Sequence, residues 1–458
     1  MSRLMISISG IRGVVGETLT PELILKLSLA FGTYIKGNKK IIIGTDTRIT
    51  RDMVKSGVIS GLLATGCEVI DIGIAPTPTV QNVLRKSGAD GAVIITASHN
   101  PIEWNALKLY KKGGILLNKK EGEAVLKIFK EEKFKLVKWN KFKKLEVKPE
   151  LTSIHIDSTL QGINFLPEIK KRKFKVALDS CNASGSYITV DLLKKLNATV
   201  KGLYITPDGY FPHSPEPNAK NLTEIVEFMK QGKYDIGFAQ DSDADRLAIL
   251  DENGNFLSEE YTVAVAVYYI LTIYDKIKKL QKYNKSVVVN ISTSRMIDDI
   301  AKKFGVKVYR TKVGEINVVE KLLKTNSVIG GEGNGGVIFP EINLGRDSLA
   351  GIGLILDFMA YSGKKLSEIL ADIPHYILYK TKFNIENLNL DKIIKKIKKD
   401  FSKGKINEID GVRIDFDDFW FQIRSSNTEP IARLFIEAKD KKIINSVLKE
   451  LKKYFIVK

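Results

Sequence analysis

Short apolar runs alternate with longer amphipathic stretches over most of the chain. Runs rich in β-branched residues predict strands, and stretches whose apolar positions recur every three to four residues predict helices. In the first third of the sequence, strands are predicted at 40–44, 68–72 and 92–95, and helices at 53–64 and 80–86. This alternation is typical of βαβ units, in which helices cover a parallel sheet.

The same alternation returns twice, which predicts two further units of the same kind. The second unit begins with a strand at 174–179, continues with a helix at 188–196 and closes with a strand at 234–239. The third begins with a helix at Glu259, and its later elements are strands at 286–289, 306–309 and 328–330 and helices at 295–303 and 349–360. Direct residue identity between the units is weak, so this prediction depends on the pattern alone.

The C-terminal segment has a different pattern. Residues 370–458 alternate strands with lysine-rich helices at 390–401 and 441–454, in which the lysines lie opposite isoleucines and leucines. Such helices predict a small α+β domain whose charge is mostly a solvated face. A lysine-rich stretch at 127–148 is predicted to be a boundary between domains.

The predicted fold class is therefore α/β: three related domains with mixed or parallel sheets, followed by a C-terminal α+β domain. The expected limits of the domains are 1–148, 149–250, 251–369 and 370–458. A chain of 458 residues is long enough for this number of domains.

Composition excludes several classes of protein. With 44% hydrophobic and 27% charged residues, the chain is neither disordered nor collagen-like. Its only cysteines, Cys67 and Cys181, are far apart in apolar segments, which excludes a disulfide scaffold and a cysteine zinc site and predicts buried thiols. No signal peptide is evident, and the longest apolar run, 263–274, is too short to span a bilayer. A cytoplasmic, soluble protein is expected.

The charge balance suggests an anionic partner. Lys and Arg number 72 against 53 Asp and Glu, which gives a net charge of +19. Such an excess is compatible with nucleic acid, an anionic membrane or phosphorylated small molecules. The loops that follow the predicted strands narrow this choice.

The first such loop contains a serine. Residues 96–101, Thr-Ala-Ser-His-Asn-Pro, follow a buried strand, so Ser98 is expected in the crevice at the carboxyl end of the sheet, where open α/β sheets bind ligands. Lys108, ten residues further on, could return to the same crevice. The alternative interpretation is a hydroxyl-capped turn with a surface serine.

The second loop is acidic. Asp241, Asp243 and Asp245 alternate along it, so their oxygens can converge on one hard cation, Mg²⁺ or Ca²⁺. An EF-hand is rejected because Arg246 stands where that loop needs glycine and a strand-like run follows. A solvated acidic turn is the other alternative, although three close carboxylates repel one another without a cation.

Two further loops contain groups suited to a phosphorylated ligand. The glycine-rich turn 330–336 lets the backbone approach a ligand, and Glu332 and Asn334 offer hydrogen bonds to hydroxyls. The segment 424–430, with Arg433 beyond it, combines guanidinium groups, hydroxyls and loop amides, as phosphate clamps do. Each of these signals alone is also compatible with an ordinary turn.

Together the loops predict phosphoryl transfer on a phosphorylated polyol or sugar. No P-loop, kinase motif or dinucleotide fingerprint occurs. The order of the motifs also resembles that of the α-D-phosphohexomutase superfamily, and most closely its archaeal-like phosphomannomutase/phosphoglucomutase branch. The residues that carry this resemblance are 11–13 (Ile-Arg-Gly), 96–101, 241–246, 331–335 and 424–430.

The resemblance implies an enzyme whose four domains surround one central cleft. It implies that Ser98 is carried as phosphoserine, that Arg12 and Lys108 serve in proton transfer and phosphate stabilisation, and that Arg246 acts next to the metal. As a base, Lys108 would have to lose its proton near neutrality. The implied Mg²⁺ site consists of Ser98, Asp241, Asp243 and Asp245. The implied substrate-binding residues are Glu332, Asn334, Arg424, Ser426, Asn427, Thr428 and Arg433.

By the same resemblance, the reaction interconverts hexose 1-phosphate and hexose 6-phosphate through a hexose 1,6-bisphosphate, which also serves as activator. Glucose and mannose are the expected sugars, and the expected partners are a phosphorylated hexose, with no nucleic acid and no membrane, in a monomer or homodimer. Three departures from the family pattern are Asn105-Ala106 in place of Asn-Gly, Asn334 in place of serine, and Gly336 in place of a common histidine. The last two fall in the sugar loop.

Two other functions remain open at this point. Within the same class, the protein could be a phosphoglucosamine mutase, because the Ser98 loop does not distinguish the two. From a different class, it could be a non-catalytic sugar-phosphate or nucleic-acid binding protein, which would require a basic stripe with interleaved aromatic residues.

Overall fold

The computed structural model describes residues 4–7, 10–386, 388–425 and 430–455 of the chain. Within these residues the strands form four separate sheets, one in each of four consecutive units. The first three units are α/β and the last is α+β, which confirms the predicted fold class. We propose that the units extend over 1–148, 149–250, 251–369 and 370–458, which places each sheet in a unit of its own.

The first unit is built around a mixed sheet of order β1-β2-β6-β5-β3-β4-β8, with β7 paired to β6. Its strands are β1 Met5–Ser7, β2 Gly10–Val14, β3 Lys40–Thr45, β4 Glu68–Ile74, β5 Gly91–Ile95, β6 Trp104–Lys111, β7 Ile115–Leu116 and β8 Leu145–Val147. Its helices are α1 Pro21–Tyr34, α2 Arg51–Ala64, α3 Thr77–Ser87 and α4 Lys119–Glu131. The predicted boundary at 127–148 thus holds the end of α4 and the strand β8, which pairs with β4.

The second and third units are smaller. The elements of the second are α5 Ser153–Gly162, α6 Leu166–Arg172, β9 Lys175–Asp179, α7 Gly185–Lys195, β10 Thr199–Leu203, α8 Thr223–Gln231, β11 Ile236–Gln240 and β12 Leu247–Leu250. Those of the third are α9 Glu260–Ile273, β13 Asn284–Asn290, α10 Met296–Lys303, β14 Lys307–Thr311, α11 Glu315–Thr325, β15 Ser327–Glu332, β16 Gly336–Ile338, α12 Ser348–Ser362 and α13 Leu366–Ala371. Helix α13 extends two residues beyond the proposed limit at 369.

One topology is common to these three units. The orders β4-β3-β5-β6, β10-β9-β11-β12 and β14-β13-β15-β16 are equivalent. In each, three parallel strands are followed by an antiparallel strand on the edge of the third. The third and fourth strands are consecutive in the chain, so one short connection leaves the carboxyl end of the third strand in each unit. These connections are the serine loop (96–103), the carboxylate loop (241–246) and the glycine loop (333–335).

The fourth unit has an antiparallel sheet of order β17-β21-β20-β19-β18. Its strands are β17 Ile377–Asn384, β18 Lys405–Asn407, β19 Val412–Asp415, β20 Phe419–Ser425 and β21 Ile431–Ala438, and its helices are α14 Leu390–Asp400 and α15 Lys441–Lys452. The helices bury their apolar faces through Ile397, Ile444 and Leu451, as predicted, and leave their lysines at the surface. The connection between β20 and β21 contains residues 426–429, which lie outside the described part of the chain.

The second and third units share a hydrophobic core. A single cluster of buried residues includes Val176 and Phe238 from the second sheet and Val289 and Ile329 from the third. Helices α9 and α12 lie within this cluster and are buried around most of their circumference, as expected for helices that are apolar on all sides. Among the described helices, each is too short or too polar to cross a membrane. Both cysteines, Cys67 and Cys181, are buried free thiols.

The fourth unit docks on the third through polar contacts. Arg413 donates from Nη1 to the carbonyl oxygen of Ile291 at 2.6 Å, and Ser292 donates from Oγ to Oε1 of Gln422 at 2.6 Å. The backbone N–H of Arg295 donates to Oε1 of Glu437 at 3.0 Å. These contacts hold the fourth unit against the third, so that Arg424 of β20 and Arg433 of β21 reach the cavity described below.

Trp420 is expected to contribute strongly to the stability of the fourth unit. Its indole is fully buried, donates to Oε1 of Glu437 at 2.5 Å and stacks 3.8 Å from the guanidinium of Arg413. Trp420→Ala should therefore lower the free energy of unfolding of this unit by about 3–5 kcal/mol, as measured by urea denaturation followed by circular dichroism. Trp139→Ala is the control, because Trp139 is 87% exposed and its loss should cost no more than about 0.5 kcal/mol. Equal losses for both variants would contradict this assignment.

Candidate active site

A cavity of about 1010 Å³ is lined by residues of all four units. Its size is in the range of pockets for small organic ligands. It brings together most of the predicted site residues, namely Arg12, Ser98, Lys108, Asp245, Arg246, Glu332, Asn334, Arg424 and Arg433. The predicted residues Ser426, Asn427 and Thr428 lie outside the described residues.

The serine loop holds Ser98 in a left-handed backbone conformation. Its φ is 50°, a value that costs energy for a residue other than glycine and often occurs at functional sites. The turn is stabilised by Thr96, whose Oγ1 accepts from the N–H of Ser98 at 3.0 Å. Ser98 is 3% exposed, and its hydroxyl donates to Oδ2 of Asp241 at 3.1 Å. The serine is thereby held against the carboxylate loop.

Arg48 holds the serine loop in place through its backbone carbonyl groups. Its guanidinium is fully buried and donates from Nη2 to the carbonyl oxygens of Ser98 and Asn100, both at 2.7 Å. The charge is balanced by Asp46, whose Oδ2 lies 3.0 Å from Nε of Arg48. Sequence analysis missed both residues. The Asp-Thr-Arg sequence that follows β3 was the available signal, because it occupies the carboxyl end of a strand next to β5.

The carboxylate loop has the geometry of a site for a hard cation. Asp241, Asp243 and Asp245 are buried, and one ligand atom from each lies within 4.8 Å of the others. Oδ1 of Asp243 and Oδ1 of Asp245 are buried and have no hydrogen-bond partner among the described residues. Buried carboxylate oxygens without partners are costly unless a cation joins them. These residues therefore fit a magnesium ion.

The three carboxylates are not equivalent. Burial, together with the charges of Asp245 and Asp243, raises the pKa of Asp241 well above its ordinary value. Burial would raise the pKa of Asp243 as well, but the ammonium of Lys108 outweighs it and lowers that pKa. Lys108 lies on β6, and its Nζ is 2.6 Å from Oδ2 of Asp243. The lysine of the first unit thus supports a carboxylate of the second.

Two arginines also face the carboxylate loop. Nε of Arg246 lies 3.9 Å from Asp241 and 3.8 Å from Asp245. Arg346, which precedes α12, makes a closer contact, 2.5 Å from its Nη2 to Oδ2 of Asp245. Although burial acts to lower the pKa of Arg346, Asp245 and Glu332 raise it well above its ordinary value. Sequence analysis did not single out Arg346, because no motif surrounds it.

Glu332, the last residue of β15, presents a carboxylate held on both oxygens. Oε1 accepts from Nδ2 of Asn290 and from the N–H of Gly314, both at 2.8 Å. Oε2 accepts from Nη1 of Arg346 at 3.0 Å. Next in the glycine loop, Asn334 lines the cavity with a buried Oδ1 that has no partner among the residues described. Glu332 and Asn334 are therefore placed to bind polar groups of a ligand.

The histidine beside Ser98 is neutral near neutral pH. The charge of Arg246, together with burial and the charge of Arg12, holds the pKa of His99 well below its ordinary value. Nδ1 of His99 lies 3.4 Å from Oγ of Ser98. Arg12 donates to Oδ1 of Asn100 at 2.6 Å, and burial lowers its pKa. A neutral imidazole thus lies beside the serine hydroxyl, and the guanidinium of Arg12 is held at the same loop on the cavity wall.

The fourth unit adds a pair of arginines to the cavity wall. Arg424 on β20 and Arg433 on β21 are directly paired across the two strands. Burial lowers the pKa of Arg424, and its Nε is a buried donor without an acceptor among the described residues. An unsatisfied guanidinium donor next to a second arginine is suited to bind an anion.

Glu260 is a further acid of the cavity that the sequence did not reveal. It begins α9, is buried, and accepts from the N–H of Ser294 at 2.9 Å. Its carboxylate lies directly behind the glycine loop, so that a Cβ on Gly333 would lie 2.0 Å from Oε2. Burial raises the pKa of Glu260 to about 8, and Lys380 only partly offsets this effect.

Known proteins are similar to this chain in both sequence and fold. Four models of the phosphoglucomutase/phosphomannomutase family match it in order: α/β/α domain I at residues 4–136, domain II at 154–254, domain III at 260–376 and the C-terminal domain at 381–453. A phosphoglucomutase/phosphomannomutase of Thermococcus kodakarensis is 42% identical over 94% of this chain and 93% of its own length. A phosphoglucosamine/phosphogalactosamine mutase of Sulfurisphaera tokodaii is 35% identical over 97% of both chains.

A solved structure supports the same fold. The crystal structure of a phosphoglucomutase/phosphomannomutase family protein from Burkholderia thailandensis superposes with a TM-score of 0.84. The match covers 98% of this chain and 97% of that chain at 24% sequence identity. At this level of identity the likeness concerns the fold.

Glu260→Gln is expected to change how stability depends on pH. In the folded protein Glu260 has a pKa of about 8 against an ordinary value of 4.5, so its ionisation opposes folding increasingly as pH rises from 4.5 to 8. Glutamine stays neutral, so the variant should gain stability relative to wild type over this range, by up to about 1.4 kcal/mol per pH unit. The measurement is the urea midpoint at pH 5 and pH 8. Glu150→Gln, at an exposed position, is the control. If the difference in stability between Glu260→Gln and wild type were the same at pH 5 and pH 8, the expectation would be contradicted.

Proposed function

Because the chain belongs to the phosphoglucomutase/phosphomannomutase family, it is a phosphohexomutase, and we propose that it interconverts hexose 1-phosphates and hexose 6-phosphates of glucose and mannose. Enzymes of this class are isomerases and are classified as intramolecular phosphotransferases. The observation that carries the proposal is the shared cavity. Ser98, a carboxylate loop suited to a cation and the arginine pair Arg424 and Arg433 line or adjoin the same space.

The proposed reaction begins with a phosphoryl group on Oγ of Ser98. A hydroxyl oxygen of the bound hexose phosphate forms a bond to this phosphorus, and the bond from phosphorus to the seryl oxygen breaks. The hydroxyl proton leaves the sugar and ends on the seryl oxygen, which yields hexose 1,6-bisphosphate and unmodified serine. After the bisphosphate reorients, the reverse transfer from its other end restores phosphoserine and releases the isomeric monophosphate. Free hexose 1,6-bisphosphate would activate unphosphorylated enzyme in the same way.

We propose Arg12, Lys108 and Arg246 as the groups that stabilise the phosphoryl group and assist the proton. Arg12 and Arg246 both line the cavity, and Arg12 is bonded to Asn100 of the serine loop. Nζ of Lys108 lies 2.6 Å from Oδ2 of Asp243, and Lys108 lines the cavity beside Ser98. This contact supports electrostatic stabilisation by Lys108 in the arrangement described. His99, neutral and 3.4 Å from the serine hydroxyl, is a second group able to accept the proton.

Asp241, Asp243 and Asp245, together with the phosphorylated Ser98, are the proposed residues that hold Mg²⁺. The unpartnered Oδ1 atoms of Asp243 and Asp245 and the contact between Ser98 and Asp241 support this assignment. A bound magnesium ion supplies a fixed positive charge that stabilises negative charge on phosphoryl oxygens. Lys108 holds the second oxygen of Asp243, so the carboxylate keeps its orientation.

Recognition of the substrate is proposed to divide between two parts of the cavity. Glu332 and Asn334 would bind hydroxyl groups of the sugar, and the fourth unit would bind the phosphate that does not react. The proposed phosphate-binding residues are Arg424, Ser426, Asn427, Thr428 and Arg433. The pairing of Arg424 and Arg433 on adjacent strands supports this division.

Glucosamine phosphate is the second candidate substrate. The relative from Sulfurisphaera tokodaii carries the name phosphoglucosamine/phosphogalactosamine mutase, whereas that from Thermococcus kodakarensis is named for glucose and mannose phosphates. Coupled assays with the 1-phosphates of glucose, mannose and glucosamine, in the presence of Mg²⁺ and a hexose 1,6-bisphosphate, distinguish these possibilities. We expect the highest kcat/KM with glucose or mannose. Turnover of glucosamine phosphate alone would favour the second candidate, and DNA binding that falls steeply with salt, without turnover, would contradict both.

Ser98→Ala is expected to lower turnover roughly a thousandfold or more, because it removes the atom that carries the phosphoryl group. Intact-mass measurement after incubation with the bisphosphate should show one added phosphoryl group on wild type and none on the variant. Ser56→Ala, at a position on the surface of α2, is the matched control and should retain both activity and phosphorylation. Full activity of the Ser98 variant would overturn the assignment.

A further inference from the structure

A short connector joins the first three units at the cavity. Residues 342–348, which follow β16 and end at the first residue of α12, are bound by each of these units. From the first, Nδ2 of Asn82 donates to the carbonyl oxygen of Ile342 at 2.9 Å. Towards the second, Ser348 donates to the carbonyl oxygen of Ala244 at 2.6 Å. The connector therefore has its position set by all three units at once.

Arg346 is the side chain that the connector sends into the cavity. Its guanidinium contacts a carboxylate with each of its nitrogens: Nη2 to Asp245 at 2.5 Å, Nη1 to Glu332 at 3.0 Å and Nε to Glu315 at 3.3 Å. Glu315 in turn accepts from Nε2 of Gln81 on α3 at 3.0 Å. One planar cation thus links the carboxylate loop, the end of β15 and the first unit.

These contacts select which carboxylate oxygen faces outward. Arg346 occupies Oδ2 of Asp245, and Oδ1 of the same residue is left without a hydrogen-bond partner in the described chain. Lys108 has the same effect on Asp243: its ammonium donates to Oδ2, and Oδ1 has no hydrogen-bond partner among the described residues. These two Oδ1 atoms are therefore available to a cation in the carboxylate loop, and Oδ1 of Asp245 also lies 3.8 Å from Nε of Arg246.

Gly336 provides the space that Arg346 occupies. A Cβ on Gly336 would lie 2.3 Å from Cδ and 2.7 Å from Cγ of Arg346, which is far inside van der Waals contact. The φ of Gly336 lies outside the left-handed region, so its backbone does not itself require glycine. In this chain a side chain there and the observed Arg346 exclude each other.

We propose that Arg346 is a positioning residue that couples the metal-binding loop to the sugar-binding residue Glu332, and that Gly336 is the complementary residue that admits it. The inference rests on the proposed function for the assignment of Asp245 to the metal and Glu332 to the sugar. Because one guanidinium orients both carboxylates, a change in Arg346 alters metal affinity and sugar recognition together. This combined effect distinguishes positioning from a contribution to stability alone.

Arg346→Lys tests the coupling with the charge retained. A lysine ammonium cannot contact three carboxylates in the planar arrangement of a guanidinium. We expect the Kd for Mg²⁺ to rise about tenfold or more, as is usual when a group that orients a metal ligand is removed. The KM for hexose phosphate should rise as well. Isothermal titration of Mg²⁺ into dephosphorylated protein measures the first, and the coupled assay at saturating Mg²⁺ measures the second.

Gly336→Ala is a second, independent test, because it displaces Arg346 without altering any charge. It should reproduce both effects. In an Arg346→Ala background, which lacks the colliding Cγ and Cδ, the same substitution should have little further effect on the Kd for Mg²⁺. This non-additivity is the signature of two residues that act through one contact.

Arg172→Lys is the control, because Arg172 is a half-buried arginine that binds the carbonyl oxygens of Met359 and Lys364 and does not line the cavity. It should leave the Kd and KM unchanged. Wild-type Kd and KM in folded Arg346→Lys, or a change in only one of them, would overturn the inference while leaving the proposed function intact. If wild type turned over no hexose phosphate, the proposed function would fail, and an unchanged Mg²⁺ affinity in the two variants would then overturn the inference separately.

Discussion

Five buried carboxylates lie at the junction of the first three units, and the rest of the site must compensate their negative charge. Their side chains are almost completely buried, and they are Asp241, Asp243, Asp245, Glu315 and Glu332. Burying a charge costs several kcal/mol unless a partner compensates it. Here the compensating cations come from other parts of the chain: Asp243 is paired with Lys108 of the first unit and Asp245 with Arg346 of the third. The acidic loop can therefore keep its geometry only when the units are docked together.

The repeated topology explains how much of this arrangement the sequence predicts. In each α/β unit a parallel strand ends in the loop that carries chemistry, and the next strand returns antiparallel to it. The apolar run before each loop is visible in the sequence, so Ser98, the aspartates 241, 243 and 245, and Glu332 could each be placed at the carboxyl end of a strand. Hydrophobic patterning specified the elements even though the units share little residue identity. The α+β class of the C-terminal unit was likewise predicted correctly from the amphipathic spacing of its two helices.

The groups that escaped prediction are those whose importance depends on the docking of units. Arg48 lies fully buried beneath the serine loop, yet in the sequence it is an arginine in a polar turn. Arg346 and Glu315 lie 31 positions apart and meet only when the third unit is folded. The sequence predicted a helix that begins at Glu259, whereas the position of Glu260 behind Gly333 became visible only in three dimensions. Local pattern reports an element and its exposed or buried face, but it carries no information on which distant charge that face will meet.

The backbone at Ser98, the proposed carrier of the phosphoryl group, restricts which residue can stand there more strongly than chemical reactivity does. Threonine has a hydroxyl of similar nucleophilicity and would be an acceptable carrier by that criterion alone. At a φ of 50°, however, a β-branched side chain crowds its own backbone, and such residues strongly avoid this region. Ser98→Thr would therefore raise the conformational energy of a loop that Arg48 already holds in place. The left-handed backbone conformation at position 98 thus favours serine over threonine, independently of any bound substrate.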